Sequence, residues 1–191
     1  NDDWNFGTDL TRFTLGKSTN TSNITLGQAL SVNGPISIYG GNITINNDII
    51  ETSTNPSTLT LKATGNISLS ANKNISSSNN KLNVVLWSDS DNNGQGYIGL
   101  GSNSSIKTNG GDIVMGGGTD SGGLPGGKAQ GGASNGILLS SATLDTTMTG
   151  STAGDISMAG ASTSSTGVQI TDSQIYANNL TIHAIRRTNY C

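Results

Sequence analysis

The chain is poor in charged and aromatic residues. Of its 191 residues 11% are charged and 4% aromatic, and the net charge is −3. Its scattered Lys and Arg residues form no basic stripe that could neutralise phosphates, which argues against nucleic-acid binding. The low charge also argues against ordinary disorder, which needs self-repulsion as well as weak hydrophobicity. Only 32% of the residues are hydrophobic, which is little for a compact globule but enough for the thin core of stacked coils.

Several signals typical of other protein classes are missing. Cys191 is the one cysteine and His183 the one histidine, so no internal disulfide can form and no His/Cys cluster has the spacing of metal ligands. No apolar run approaches the length of a transmembrane helix, so we expect a chain that does not span a membrane. The first residues lack the pattern of a signal peptide, which predicts a mature or excised piece. Nowhere do apolar residues keep the spacing of an amphipathic helix.

What the sequence has instead is a short repeated unit of an Asn or Asp, an aliphatic residue, a small or polar residue and another apolar residue. Apolar residues at its second and fourth positions have the period of a strand. Strands this short become stable only when each coil of the chain covers the apolar face of its neighbour, so we expect them to stack in parallel. Gly136-Ile137-Leu138-Leu139 divides the longest interval into two. The seven units begin at Asn23, Asn42, Asn66, Asn83, Asp112, Asp155 and Asn179.

The repeat predicts an all-β fold, a right-handed parallel β-helix with three sheets. About eight or nine coils, spaced about 4.8 Å apart, would make a solenoid about 40 Å long. The expected interior residues are the aliphatic pairs of the units: Ile24, Leu26, Ile43, Ile45, Ile67, Leu69, Val84, Leu86, Ile113, Met115, Ile137, Leu139, Ile156, Met158, Leu180 and Ile182.

Two stretches depart from the regular pattern. Residues 1–22, with Trp4, Phe6 and Phe13, are interpreted as irregular first coils or a cap over one edge, and residues 23–191 as the β-helix shaft. Residues 116–135 contain repeated glycine pairs, which favours a loop projecting from one corner of the shaft rather than a strand.

The strongest candidate site is a possible calcium loop at Asp89, Asp91 and Asn93, where oxygen side chains alternate before Gly94. Calcium needs six or more oxygens, and Leu100 occupies the twelfth position, where a glutamate would complete the loop. A plain polar turn is the alternative. The Asn and Asp residues that begin the units are interpreted as structural, because stacked amide side chains can satisfy one another. No cofactor other than calcium is indicated.

An enzyme is not expected from these residues. β-Helix lyases and hydrolases use grouped carboxylates beside a basic residue on one outer face. Here the acidic residues are spread along the chain, and a pair such as Asp112 and Asp155, which could align across coils, is already explained by its place at the start of two units. His183 is expected at an outward strand position.

The segments Ile36–Ile45, Ala63–Leu69 and Leu86–Asp91 resemble the shaft of large secreted bacterial adhesins. These are the filamentous-haemagglutinin-like exoproteins and the repetitive surface adhesins of the Bacteroidetes type. The resemblance covers roughly residues 23–183 and implies a right-handed parallel β-helix, export to the cell surface, and roles in attachment, biofilm or surface motility. The "NPNL" and "NPNG" motifs of that family's secretion domain are absent, since Asn55-Pro56 continues as Ser57-Thr58.

The sequence therefore predicts a structural and adhesive segment of an extracellular, cell-surface protein. Its expected partners are a host or neighbouring-cell surface or a polysaccharide, met by loops 88–96 and 116–135, and further coils of the chain or identical subunits end to end. The alternatives are a carbohydrate-acting β-helix enzyme and a carbohydrate-binding or phage-type fibre module. Ice binding is disfavoured because the coils vary in length.

Overall fold

Every regular element in residues 10–186, which the computed structural model describes, is a β-strand. The first three coils consist of β1 (Phe13–Leu15), β2 (Ile24–Leu26), β3 (Leu30–Val32), β4 (Ile36–Gly40), β5 (Ile43–Ile45), β6 (Ile49–Glu51), β7 (Ser57–Ala63), β8 (Ile67–Leu69) and β9 (Asn74–Ser77). The next coils consist of β10 (Leu82–Ser88), β11 (Ile98–Leu100), β12 (Ser105–Lys107), β13 (Ile113–Asp120), β14 (Pro125–Gly127), β15 (Ala129–Gln130), β16 (Ile137–Ser140), β17 (Thr143–Asp145), β18 (Ile156–Ser162), β19 (Val168–Thr171), β20 (Gln174–Tyr176) and β21 (Leu180–Arg186).

The strands form three sheets that run the length of the described chain. Sheet A contains β1, β4, β7, β10, β13, β18 and β21, with β14 and β15 added beside β13 and β18. Sheet B contains β2, β5, β8, β11, β16 and β19, and sheet C contains β3, β6, β9, β12, β17 and β20. All pairings are parallel and in register except that of β14 with β13. This architecture confirms the predicted parallel β-helix.

The core is built from columns of aliphatic side chains that repeat once per coil. In sheet B, Ile43 pairs in register with Ile67, and in sheet A, Ile113 pairs with Ile156. All four side chains are almost completely buried and belong to one hydrophobic cluster. Because inward and outward residues alternate along a strand, each coil adds a layer of apolar side chains to the same interior.

The described residues form six complete coils and the first strand of a seventh, not the eight or nine expected. At about 4.8 Å per coil the solenoid is about 30 Å long rather than about 40 Å. The prediction was wrong because Ile137 begins the sheet B strand of the coil that contains Ile113, not a coil of its own. The return distance, which is the number of residues between equivalent positions in successive coils, varies widely. It is 19 between Asn23 and Asn42 and 43 between Asp112 and Asp155.

Thirteen of the sixteen residues expected in the interior are buried, and three are not. Ile24 is only partly buried against the core. Leu180 and Ile182 are 46% and 43% exposed, although they pair in register with the buried Ile156 and Met158. Their strand, β21, is the last of the described sheet A, so no further described coil covers them.

In every unit except the last, which begins at Asn179, the polar residue at the start accepts a hydrogen bond from the next coil. In sheet B, Asn23 Oδ1 accepts the backbone N–H of Asn42 at 2.8 Å, and Asn42 Oδ1 accepts that of Asn66 at 2.8 Å. These side chains accept hydrogen bonds from backbone N–H groups at the corners, just before the hydrogen bonding between strands begins. The structural interpretation of these residues is therefore confirmed.

A second ladder of this kind runs along sheet A. Asn83 Oδ1 accepts the N–H of Asp112 at 3.0 Å, and Asp112 Oδ1 accepts that of Asp155 at 2.8 Å. The single row of Asn and Asp seen in the sequence is thus two rows at two different corners. Each of the seven units nevertheless belongs to a different coil, so the overcount comes from Ile137 and not from the mixed rows.

The Gly-rich segment 116–135 is not a simple projecting loop. Strand β13 continues through its first glycines to Asp120, turns, and pairs antiparallel with β14, and β15 then joins β18 in sheet A. Glycine permits this close approach: a Cβ on Gly117 would lie 2.6 Å from the Lys128 carbonyl oxygen and 2.7 Å from that of Ser88. We call residues 113–127 the hairpin.

The first strand of the solenoid is regular. Phe13 lies in β1 and pairs in register with Ile36 of β4, so residues 1–22, interpreted as irregular first coils or a cap, contain the first strand of the first coil. Trp4 and Phe6 lie outside the described residues. Among residues 10–186 there is no apolar helix of the length that a bilayer crossing requires.

Candidate functional site

The corner between sheets A and B carries a long loop in the fourth coil. It leaves β10 at Ser88 and reaches β11 at Ile98, and it contains the three predicted calcium ligands. Asp89 begins the loop with a left-handed backbone, at φ 48°, a conformation that Asp and Asn tolerate better than most residues. We call residues 89–96 the corner loop.

Asp89 is completely buried and holds the corner loop together. Its Oδ1 accepts the backbone N–H groups of Gly94 at 3.0 Å and Gln95 at 3.3 Å. Its backbone carbonyl accepts the N–H of Gly118 at 3.0 Å, which joins the corner loop to the hairpin. Burial raises the pKa of the Asp89 carboxyl, while the bonds from Gly94 and Gln95 act in the opposite direction.

Asp91 and Asn93 are exposed and bonded to one another. Asn93 Nδ2 donates to Asp91 Oδ2 at 2.8 Å, and Asn93 Oδ1 accepts the N–H of Gln95 at 2.9 Å. These are bonds of a polar turn, the alternative that the sequence left open. Each bond takes up an oxygen that a cation would otherwise coordinate.

The loop offers calcium an incomplete set of ligands. The buried Asp89 Oδ2 has no hydrogen-bond partner within the described chain, so it is the one oxygen of Asp89 left for a cation. No three carboxylate, histidine or cysteine side chains come together as a metal-binding group in residues 10–186. Calcium takes six to eight oxygens, so binding at Asp89, Asp91 and Asn93 stays a prediction.

The hairpin is attached to the outer face of sheet A through Trp87. The indole lies on the opposite side of its strand from the inward Leu86, yet it is only 2% exposed. Its Nε1–H donates to the Gly118 carbonyl oxygen at 2.7 Å. Lys62 Nζ lies 3.7 Å from the centre of the indole ring and 3.6 Å from Asp120 Oδ2 at the end of β13. Two segments of the chain thus meet over one outward tryptophan.

Sequence reasoning missed this arrangement. An outward tryptophan is an unusual feature of a polar surface, and alternation with Leu86 could have placed Trp87 on the outer face. Nothing local in the sequence points to Lys62 or Asp120 as its neighbours, because sheet register brings Lys62 beside Trp87 and the hairpin brings Asp120.

The residues considered for catalysis are not gathered into one site. Asp112 and Asp155 do align across coils, as anticipated, but Asp112 Oδ1 is bonded to the N–H of Asp155. Asp155 accepts side-chain bonds from Asn178 and Asn179, which lower the pKa of its carboxyl. His183 is exposed on β21.

The comparisons with known proteins add no assignment to this geometry. No family model, curated protein or solved structure matches the chain. The corner loop and the hairpin are therefore assigned to a candidate site on geometry alone.

Proposed function

We propose that the chain is a structural and adhesive segment of an extracellular bacterial surface protein or filament. The observation that carries the proposal is that the described residues form a rigid solenoid with the corner loop and the hairpin attached to its outer surface. Strands of a solenoid are committed to pairing, whereas loops held on a rigid scaffold are free to meet partners. The corner loop and the hairpin form such an elaboration on one side of the described solenoid, fixed to it through Asp89 and Trp87.

The resemblance to adhesin shafts supports the same function. Attachment, biofilm formation and surface motility all require a spacer that keeps its shape while it presents a binding surface. The proposed partners are a host or neighbouring-cell surface or a polysaccharide. At the β21 end, the exposed side chains of Leu180, Ile182 and Ile185 support contact with a further coil or an identical subunit.

Bead adhesion tests the proposal. Beads coated with the chain should be retained under flow on layers of bacterial or host cells more strongly than uncoated beads. A variant in which residues 118–127 of the hairpin are replaced by a short Gly-Ser turn, leaving the core residues Ile113 and Met115 in place, should lose this retention. Tyr176→Ala, on the outer face of sheet C, should keep it. Equal retention of coated and uncoated beads on every cell layer would contradict the adhesive function.

A polysaccharide-cleaving enzyme is the rival function for the same fold. Release of reducing ends or unsaturated sugars by the purified chain, lost in Asp112→Asn, would favour that rival. The hydrogen bond from the Asp155 N–H to Asp112 supports a structural use of this carboxylate instead.

A further inference from the structure

A shallow groove runs along the corner between sheets A and B on both sides of the corner loop. It consists of two adjoining depressions, of about 530 and 370 Å³, that share Asn66, Asn93 and Gln95. It extends from Asn23 in the first coil to Gln130 beside the hairpin. This span covers five coils, or about 19 Å along the solenoid axis, so an elongated ligand fits it better than a small compact one.

The chemistry of the groove is polar and uncharged. None of the described residues that line the two depressions carries a charge at neutral pH, so the groove offers nothing that would recognise a phosphate, a sulfate or a carboxylate. Its walls are amides, hydroxyls and backbone. Aliphatic pockets that could hold the side chains of a bound peptide are also missing from this lining.

The groove has free hydrogen-bonding side chains. The side-chain amides of Gln95 and Gln130 have no hydrogen-bond partner among the described residues, although the backbones of both residues are bonded. An amide carries both donors and an acceptor, which matches a hydroxyl that can donate and accept. The backbone N–H of Tyr97, by contrast, already bonds to Asn66 Oδ1 at 3.0 Å, so strand addition at this position is not available to a ligand.

Tyr97 supplies an aromatic surface at the groove. Its ring lies over Gly99 on the outer face of sheet B, with Cε2 3.1 Å from the place that a Cβ on Gly99 would occupy. Its hydroxyl lies 3.4 Å from Ser68 Oγ. The half-buried ring is therefore held in position before any ligand binds, which reduces the entropy lost on binding. An aromatic face beside polar groups can contact a ligand that has both apolar C–H faces and hydroxyls.

From these observations we propose that the groove binds a linear, neutral glycan chain. Gln95 and Gln130 hydrogen-bond to sugar hydroxyls, and Tyr97 packs against the C–H face of one sugar ring. The inference rests on the proposed adhesive function and names the ligand class that would serve it. It differs from the calcium prediction, because it uses the uncharged side of the corner loop rather than Asp89 and Asp91.

Affinity electrophoresis of the intact chain tests this site. Native gels would contain laminarin, dextran or galactomannan as neutral polymers, and alginate as a charged one. We expect retardation in at least one neutral gel and none in alginate. The double variant Gln95→Ala/Gln130→Ala should bind about five- to tenfold more weakly, as expected for the loss of one or two hydrogen bonds. Tyr97→Ala should bind comparably weakly, while Tyr97→Phe should keep most of the affinity because the ring remains.

Tyr176→Ala is the matched control, since it removes an exposed tyrosine from sheet C and should leave retardation unchanged. Because Tyr97→Ala could disturb folding, the glutamine variant decides the outcome, with unfolding midpoints confirming that it is folded. Absence of retardation in all three neutral gels would overturn the proposal, as would retardation that both groove variants leave unchanged. Bead adhesion that persists without glycan binding would overturn the groove assignment alone, and glycan binding without adhesion would overturn the proposed function alone.

Discussion

The carboxylate of Asp112 accepts the backbone N–H of Asp155 at 2.8 Å, although 43 residues separate them in the chain. The bond spans the coil with the longest return distance in the described solenoid. It closes at the same corner as two similar bonds, in which the N–H of Asp112 donates to Asn83 Oδ1 and the N–H of Asn179 donates to Asp155 Oδ1. From Asn83 to Asn179, one polar side chain per coil therefore keeps the register of sheet A, even where a long insertion intervenes.

Removing the acceptor at Asp112 should destabilise the fold. Asp112→Ala leaves the N–H of Asp155 without its partner, and we expect the free energy of unfolding to fall by about 1 kcal/mol. Asp112→Asn keeps the Oδ1 acceptor and should lie close to the parent protein. Urea unfolding measures both. A loss in Asp112→Asn as large as that in Asp112→Ala would contradict the ladder role.

The glycine at position 117 should be required for the hairpin. A Cβ there would approach two carbonyl oxygens, those of Lys128 and Ser88, to less than 3.0 Å. We expect Gly117→Ala to lower the free energy of unfolding by about 1–3 kcal/mol, as other overpacked sites do. Gly27→Ala is the matched control, because its added Cβ would meet nothing within 4 Å and should change stability little. Thermal unfolding of the pair gives the comparison.

Trp87 and Lys62 should control how firmly the hairpin is held. Trp87→Phe removes the bond from Nε1 to the Gly118 carbonyl but keeps a ring, and Lys62→Met removes the cation above that ring. We expect faster amide hydrogen exchange in the hairpin in each variant. Exchange at Ile43 and Ile67 should not change, since both lie in the core away from the hairpin. Unchanged hairpin exchange would show that other contacts hold it.

The buried Glu51 should make stability depend on pH. Burial is the largest influence on its carboxyl and raises its pKa above the ordinary value of 4.5, against bonds from Ser53 and Ser77. An acid with a higher pKa in the folded chain binds its proton more tightly there, so protonation favours folding. The resulting increase in the free energy of unfolding is fully present below pH 4.5 and is lost as pH rises through the raised pKa of Glu51.

Glu51→Gln should therefore lose this pH dependence. We expect its free energy of unfolding to fall less than that of the parent between about pH 4.5 and neutral pH. The pKa of Asp89 is also raised by burial. Asp89 contributes the same pH dependence to the parent and to Glu51→Gln, so it does not affect the difference between their free energies of unfolding. Equal slopes in urea titrations of the two proteins would contradict the assignment.

The sequence predicts the best strands of this fold because their alternation is complete. In β4 and β7, inward aliphatic residues alternate with polar ones, and both strands lie where the pattern indicates. Sheet C was harder to recognise. Strands such as Ser105–Lys107 have only one inward aliphatic residue, Ile106, and a single residue cannot show the alternation that indicates a strand. A strand of this kind is defined by its neighbours above and below.

The site was predicted only in part, for a similar reason. Asp89 was identified from its spacing to Asp91 and Asn93, and the structure places all three in one loop. Its burial could not be predicted, since the hairpin that packs beside it begins more than twenty residues later. The strand character of Gly116–Gly118 was missed because glycine has low strand propensity, whereas here its lack of a side chain is what allows pairing.

Disulfide cross-linking across the longest coil tests the solenoid most directly. In a background with Cys191 replaced by Ser, Val114→Cys/Ser157→Cys places thiols on register partners of adjacent coils in sheet A. Val114→Cys/Leu138→Cys joins positions that the repeat interval alone would stack but that lie in different sheets. We predict rapid cross-linking of the first pair under mild oxidation and none of the second. Cross-linking of residues 114 and 138, without that of 114 and 157, would contradict the three-sheet register.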